Sequence, residues 1–176
     1  EIRSALQDIS PMPLRGEIIE WNGATILLDA YNANPASMQA ALLTLAGVAP
    51  LAGATYPAGV APFADTASAG HRKVAILGDM LELGNAAKSA HKELGRKVAQ
   101  NRIDRLIAVG QFCEIVACGA LGKGMQKQAI TTFKNLESLD LAHEIQSGDV
   151  VLIKGSRGMG MERLLSAQEV RILAEQ

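Results

Sequence analysis

Short apolar runs alternate along the chain with stretches whose apolar residues recur at helical spacing. Residues 17–20 read as a first strand. The Asn22-Gly23 pair that follows is a strong hairpin signal, because both residue types tolerate the left-handed backbone that tight turns require. The turn delivers the chain into an apolar run, 24–28, which reads as a buried strand ending at Asp29. Asn34-Pro35 then combines an N-cap with a proline at the first helical position. Met38, Ala41, Leu42 and Leu45 form a stripe that carries this helix to about residue 45.

Farther along, the pattern predicts strands at 73–77, 105–109, 129–133 and 150–153, and helices at 85–100, 112–118, 136–145 and 159–173. Residues 49–71 are rich in Ala, Gly and Pro and lack periodicity, which predicts a flexible insertion. Strands alternating with helices imply an α/β domain with a mostly parallel sheet of about six strands and helices on both faces. The strand at 17–20 belongs at an edge or runs antiparallel. The whole chain, 1–176, reads as one domain, with 1–13 as a leader into it.

Composition narrows the function classes. Lys plus Arg is 17 and Asp plus Glu is 18, so no basic excess points to nucleic acid. Aromatic residues are 3%, too few for a base-stacking platform. No apolar run is long enough to cross a bilayer and no secretory leader is visible, which points to a cytoplasmic protein without membrane insertion. Cys113 and Cys118 have neither metal nor redox spacing and are expected in the core as free thiols. The chain opens on Glu1 rather than Met, so it is expected to be a piece of a longer protein.

In parallel sheets ligands sit beyond the carboxyl ends of the strands. That rule marks 29–34, 78–84, 110–111 and 154–160. At the first of these, Asp29 can accept hydrogen bonds from ribose hydroxyls, Asn32 and Asn34 offer donors and acceptors, and Tyr31 can lie against a base. The plain alternative is that Asp29 only ends a strand and Asn34 only caps a helix. In Lys154-Gly-Ser-Arg-Gly-Met-Gly160, glycines allow close backbone approach, and Lys154 and Arg157 suit a carboxylate or phosphate. The run is neither a P-loop nor a GxGxxG fingerprint. Asp79 and Glu82 could bind Mg²⁺ or act as bases, but helix-start acids and surface charges are the favoured reading. His91, His71 and His143 have no partners at metal spacing and are given no role.

Five runs occur in one order: Leu14-Arg-Gly-Glu17, Asp29-Ala-Tyr-Asn-Ala-Asn-Pro35, Ala75-Ile-Leu-Gly-Asp-Met-Leu-Glu-Leu-Gly84, His91 with Gly95, and Gly148-Asp-Val-Val-Leu-Ile-Lys-Gly-Ser-Arg157 with Met161-Glu162. Together they make the chain resemble the Rossmann-like carboxyl-terminal domain of a Mur ligase, over essentially its whole length except 49–71. The branch it resembles joins D-alanyl-D-alanine to UDP-N-acetylmuramoyl-tripeptide with ATP and Mg²⁺ in peptidoglycan precursor synthesis. The resemblance implies that Arg15, Asp29, Tyr31 and Asn32 serve the nucleotide. It implies that Asn34, Lys154, Ser156 and Arg157 face the dipeptide, with Arg157 or Lys154 taking its free carboxylate. It also implies amino-terminal and central domains as partners. The central domain would supply the P-loop and hold most of the Mg²⁺, so this chain, which has no Gly-Lys-Thr, would not catalyse alone. The competing readings are a stand-alone flavodoxin-like binding module and the matching domain of a sister Mur ligase. The sister that adds the third peptide residue would show a DNPR-like motif, which this sequence lacks.

Overall fold

The computed structural model describes residues 14–47, 71–165 and the strand residues 171–172. The leader at 1–13 and most of the insertion expected at 49–71 lie outside the described residues.

The hairpin expected at the start is there. Strand β1, Glu17–Trp21, pairs antiparallel with β2, Ala24–Asp29, across the Asn22-Gly23 turn, and both turn residues have positive φ. Helix α1, Pro35–Leu45, follows. Then come β3, Lys73–Leu77, helix α2, Ala87–Gln100, and β4, Arg105–Val109. Helix α3, Cys113–Leu121, leads to β5, Ile130–Phe133. A single helical turn α4, Leu141–Glu144, precedes β6, Val150–Lys154, and a two-residue strand β7, Arg171–Ile172, closes the set. Among the described residues these strands form one sheet in the order β5-β4-β3-β6-β2-β1-β7. The pairings from β5 through β2 are all parallel, and β1 runs antiparallel between β2 and β7. The edge beyond β1 is therefore held by β7, where the periodicity of 159–173 had predicted helix.

Both faces of the central strands β2, β3, β4 and β6 are buried, which is why these read as nearly continuous apolar runs rather than alternating ones. Leu27, Ala75, Leu106 and Leu152 point to one face, where α1, α2 and α3 cover them through Leu42, Leu94, Val98 and Val116. Ile26, Ile76, Ile107 and Ile153 point to the other, against Leu136, Leu141, Ile145 and Met161.

Among the described residues that second layer is thinner than the expected pair of long helices; residues 166–170 and 173 of the second lie outside them. Instead of one helix at 136–145 there is a 3-10 turn, Leu136–Ser138, and then α4. Asn135 accepts from the Ser138 amide at 3.0 Å and Asp140 accepts from the Ala142 amide at 3.0 Å, so two competing starts cut the helix in half. Likewise 157–164 forms two 3-10 turns, Arg157–Met159 and Met161–Leu164, because Gly160 between them sits at φ 61, outside the helical region. Cys113 is buried as expected, whereas Cys118 is exposed on the outer side of α3. At the amino ends of the strands Arg72 grips Asp149 (Nε 2.8 Å, Nη2 2.5 Å), and that hydrogen-bonded carboxylate raises the guanidinium pKa.

Helices α2 and α3 pack backbone on backbone. A β-carbon on Gly95 would overlap the Val116 carbonyl, and one on Gly119 would overlap the Lys92 carbonyl. Neither obstacle is a side chain that could rotate away. Gly95→Ala is expected to lower unfolding free energy by about 3 kcal/mol, the scale of a strained overpacking, although alanine is the better helix former. Urea unfolding followed by circular dichroism measures this. An unchanged or raised midpoint would mean the helices separate freely.

Candidate functional site

The candidate site lies at the carboxyl ends of β2 and β6, beside the start of α1. Here β2 leads to α1 on one face, while β6 leads to the 3-10 turns on the other. Such a divergence leaves a crevice between neighbouring strand ends. Asp29 and Lys154 are the last residues of β2 and β6 and are direct partners in the parallel register. Alternation along both strands turns their side chains toward the α1 face, in line with Leu27 and Leu152. The Lys154 ammonium donates to Asp29 Oδ2 at 2.6 Å and to the Asn32 carbonyl at 2.8 Å. The lysine side chain is 2% exposed and the aspartate 27%.

The loop ahead of β1 closes one side. Leu14, at φ 63, accepts the Tyr31 amide on its carbonyl at 3.0 Å, and its own amide donates to Glu17 Oε1 at 2.9 Å. This brings the Arg15 guanidinium over the Tyr31 ring, 4.1 Å from its centroid. Tyr31 remains 39% exposed. On the other side, Asn34 Oδ1 accepts the Ser37 amide at 2.9 Å while Ser37 Oγ accepts the Asn34 amide at 3.1 Å. That is a reciprocal cap of the first turn of α1. Asn32 Oδ1 accepts the Ala33 amide at 2.7 Å. Both asparagine oxygens thus help to shape the loop, and their amide nitrogens are donors that they can offer a ligand.

The result is a cleft of about 400 Å³ lined by Arg15, Asp29, Tyr31, Asn32, Asn34 and Lys154, with Leu27, Ala41 and Thr44 along its floor. Six of the eight residues singled out from sequence therefore meet. Ser156 and Arg157 are not among the residues lining it. They stand at the neighbouring β3–β6 junction. There Ser156 is buried, its Oγ accepts the Leu81 amide at 2.9 Å and its amide donates to the Asp79 carbonyl at 3.1 Å. The Arg157 side chain is 57% exposed and reaches Glu162 Oε1 at 2.7 Å. Two residues of this region had escaped attention: Ser37, although Asn-x-x-Ser ahead of an apolar stripe is a capping signal, and Glu162 as the partner of Arg157.

The acid in the loop after β3 is structural. Asp79 is buried and accepts the Gln111 amide at 2.7 Å and the Phe112 amide at 3.1 Å, so it holds the entrance of α3. His91, fully buried on α2, accepts the Met80 amide on Nε2 at 2.9 Å and donates from Nδ1 to the Ala87 carbonyl at 2.7 Å. That pair of bonds requires the neutral, Nδ1-protonated ring. The ring also stacks on Phe112, with centroids 4.4 Å apart. Glu82 is exposed at φ 64. No group of three His, Cys, Asp or Glu that could hold a metal occurs among the described residues. The one carboxylate in the cleft already faces an ammonium, which suits a sugar hydroxyl better than Mg²⁺.

Residues 48–157 match the family described as Mur ligase, glutamate ligase domain. The chain is 32% identical over 157 residues to the UDP-N-acetylmuramoyl-tripeptide–D-alanyl-D-alanine ligase of Bacillus subtilis, covering 86% of this chain and 30% of that one. It is 34% identical over 161 residues to the ligase of the same name from Mycobacterium tuberculosis strain H37Rv, covering 83% and 29%. Among solved structures, MurF from Acinetobacter baumannii superposes with a TM-score of 0.64 at 28% identity, over 92% of this chain and 31% of that one. MurF from Thermotoga maritima, in complex with ADP, gives 0.62 at 26% identity, over 89% and 30%. The chain thus spans about 30% of the length of the relatives it matches.

Asp79→Ala would orphan two amides at the buried entrance of α3. It is expected to lower unfolding free energy by about 2 kcal/mol. Thermal melts of the chain report it, and an unaltered melt would return Asp79 to the list of free, functional acids.

Proposed function

Since the chain belongs to the Mur ligase family, through its glutamate ligase domain, we propose that it serves a cytoplasmic ATP-dependent ligase that joins D-alanyl-D-alanine to UDP-N-acetylmuramoyl-tripeptide. In this role it closes over the nucleotide and presents the incoming amine. The reaction makes an acyl phosphate from the peptide carboxylate and the γ-phosphoryl group of ATP. The dipeptide amine then attacks the acyl carbon, phosphate leaves, and ADP and one proton are released. Water must be kept from the acyl phosphate, and domain closure does that.

Within that reaction the chain's own residues bind and orient. Asp29 Oδ1, to which no hydrogen bond is made among the described residues, accepts from a ribose hydroxyl. Arg15 and Tyr31, stacked at the open side of the cleft, flank the rest of the nucleoside, with the Asn32 amide nitrogen nearby. Arg157 receives the dipeptide carboxylate, helped by Asn34 and by the loop that Ser156 pins. The observation that carries this reading is the cleft itself, with an aspartate at its strand end and a cation-stacked tyrosine at its mouth. The ADP complex named for one structural relative supports a nucleotide as occupant. The central and amino-terminal domains of the same ligase would supply phosphate and Mg²⁺ binding and hold the UDP-sugar.

In the full-length ligase, Asp29→Ala is expected to raise the KM for ATP about tenfold or more, ~1.4 kcal/mol of binding, with the dipeptide KM within about twofold. Arg157→Ala is expected to do the reverse. Steady-state phosphate release with each substrate varied in turn measures both, and equal losses for both substrates would defeat the assignment.

A further inference from the structure

Lys154 ends the strand that opens into the Lys154-Gly-Ser-Arg run, and its charge made it a candidate receptor for a carboxylate. Its surroundings argue otherwise. The residue is 1% exposed, so an anion arriving at the cleft finds almost none of its surface. Two of its three N–H bonds are already directed, one to Asp29 Oδ2 at 2.6 Å and one to the Asn32 carbonyl at 2.8 Å. With the side chain 2% exposed, the third N–H has almost no open surface through which to meet a ligand carboxylate.

Its partners give the side chain a different job. They lie on the two ends of one loop: Asp29 closes β2, and Asn32 stands two residues before the α1 cap. Tyr31 lies between them. Lys154 therefore ties the tip of β6 across to the whole loop that carries the acid and the ring. By occupying Oδ2 it fixes the carboxylate plane and leaves Oδ1 for a ligand. A compact ammonium on a long apolar stem suits this slot, because its head can serve two acceptors, one at the end of β2 and one in the loop after it, while its methylenes pack in the core.

We infer that Lys154 is a positioning residue for the nucleotide, acting through Asp29 and the 29–32 loop, and not a receptor for the dipeptide carboxylate. The inference rests on the ribose role of Asp29 proposed above.

The test is a double-mutant cycle in the full-length ligase with Asp29→Asn, Lys154→Met and the pair, reading kcat and the KM for ATP and for D-alanyl-D-alanine. Lys154→Met is expected to raise the ATP KM about tenfold and leave the dipeptide KM within about twofold. The double variant is expected to be no worse for ATP than Asp29→Asn alone, since both remove the same placement. A rise confined to the dipeptide KM would overturn the inference and make Lys154 the carboxylate receptor. So would multiplying effects of the two substitutions, or a fall in kcat and melting temperature with no change in either KM. If Asp29→Asn leaves the ATP KM unchanged, the ribose role itself fails. If Asp29→Asn raises it and Lys154→Met does not, only the positioning role fails. Should Lys154→Met not fold, Lys154→Gln is compared in the same way. Its amide keeps a donor for Asp29, so a smaller rise of about threefold, again confined to ATP, is expected, and no rise would overturn the inference.

Discussion

An ammonium almost wholly withdrawn from water, held between a carboxylate and a peptide carbonyl, organises the carboxyl rim of this sheet. Taking a lysine out of water is costly unless its charge is compensated and its protons are engaged. Here the compensation comes from the neighbouring strand, at the same level in the ladder. The β2–β6 pairing and the shape of the β2–α1 loop thereby become one arrangement. If β6 were drawn down by one step, the lysine would face the opposite layer, among the leucines and isoleucines that pack around Met161. The apolar residues of β2 and β6 specify burial but discriminate weakly between neighbouring registers. The charged pair at their ends supplies the discrimination.

Around that pair the fold is built to keep loops still. His91 and Asp79 fasten the loop after β3 to α2 and to the entrance of α3, and Ser156 fastens the loop after β6 to the loop after β3. Gly78 and Gly155 allow those last two loops to touch, since a β-carbon on Gly155 would stand 3.2 Å from the Gly78 Cα, and one on either would also meet the Met161 side chain. The rim is thus a set of mutually braced turns. Tyr31, Leu81 and Arg157 are among the groups that it leaves exposed.

Much of this was legible from the residues. The central parallel strands announced themselves as nearly uninterrupted apolar runs, and Asn34-Pro35 fixed the start of α1. What could not be read was pairing across distance. Lys154 and Asp29 are 125 residues apart, and nothing local distinguishes a lysine that will be buried against an acid from one that will wait for a ligand. The second layer was misjudged for a different reason. Apolar spacing at 136–145 and 159–173 favours a helix, but Asn135, Asp140 and Gly160 each impose a backbone choice that outweighs it. Periodicity reports which side faces the core. It does not report whether the backbone between the apolar residues is continuous.

The contact between α2 and α3 carries a consequence for how such a domain can diverge. Because each glycine lies against a peptide group of the opposite helix, the two positions are locked by main chain and cannot be relieved by a neighbouring side chain becoming smaller. A lineage that acquires a larger residue at either place has to draw the two cylinders apart, and with them the cover over β4. The spacing of these helices is therefore inherited as a unit. Sequence drift is left to their outward faces, where Lys92, Glu93 and Glu114 already stand in solvent.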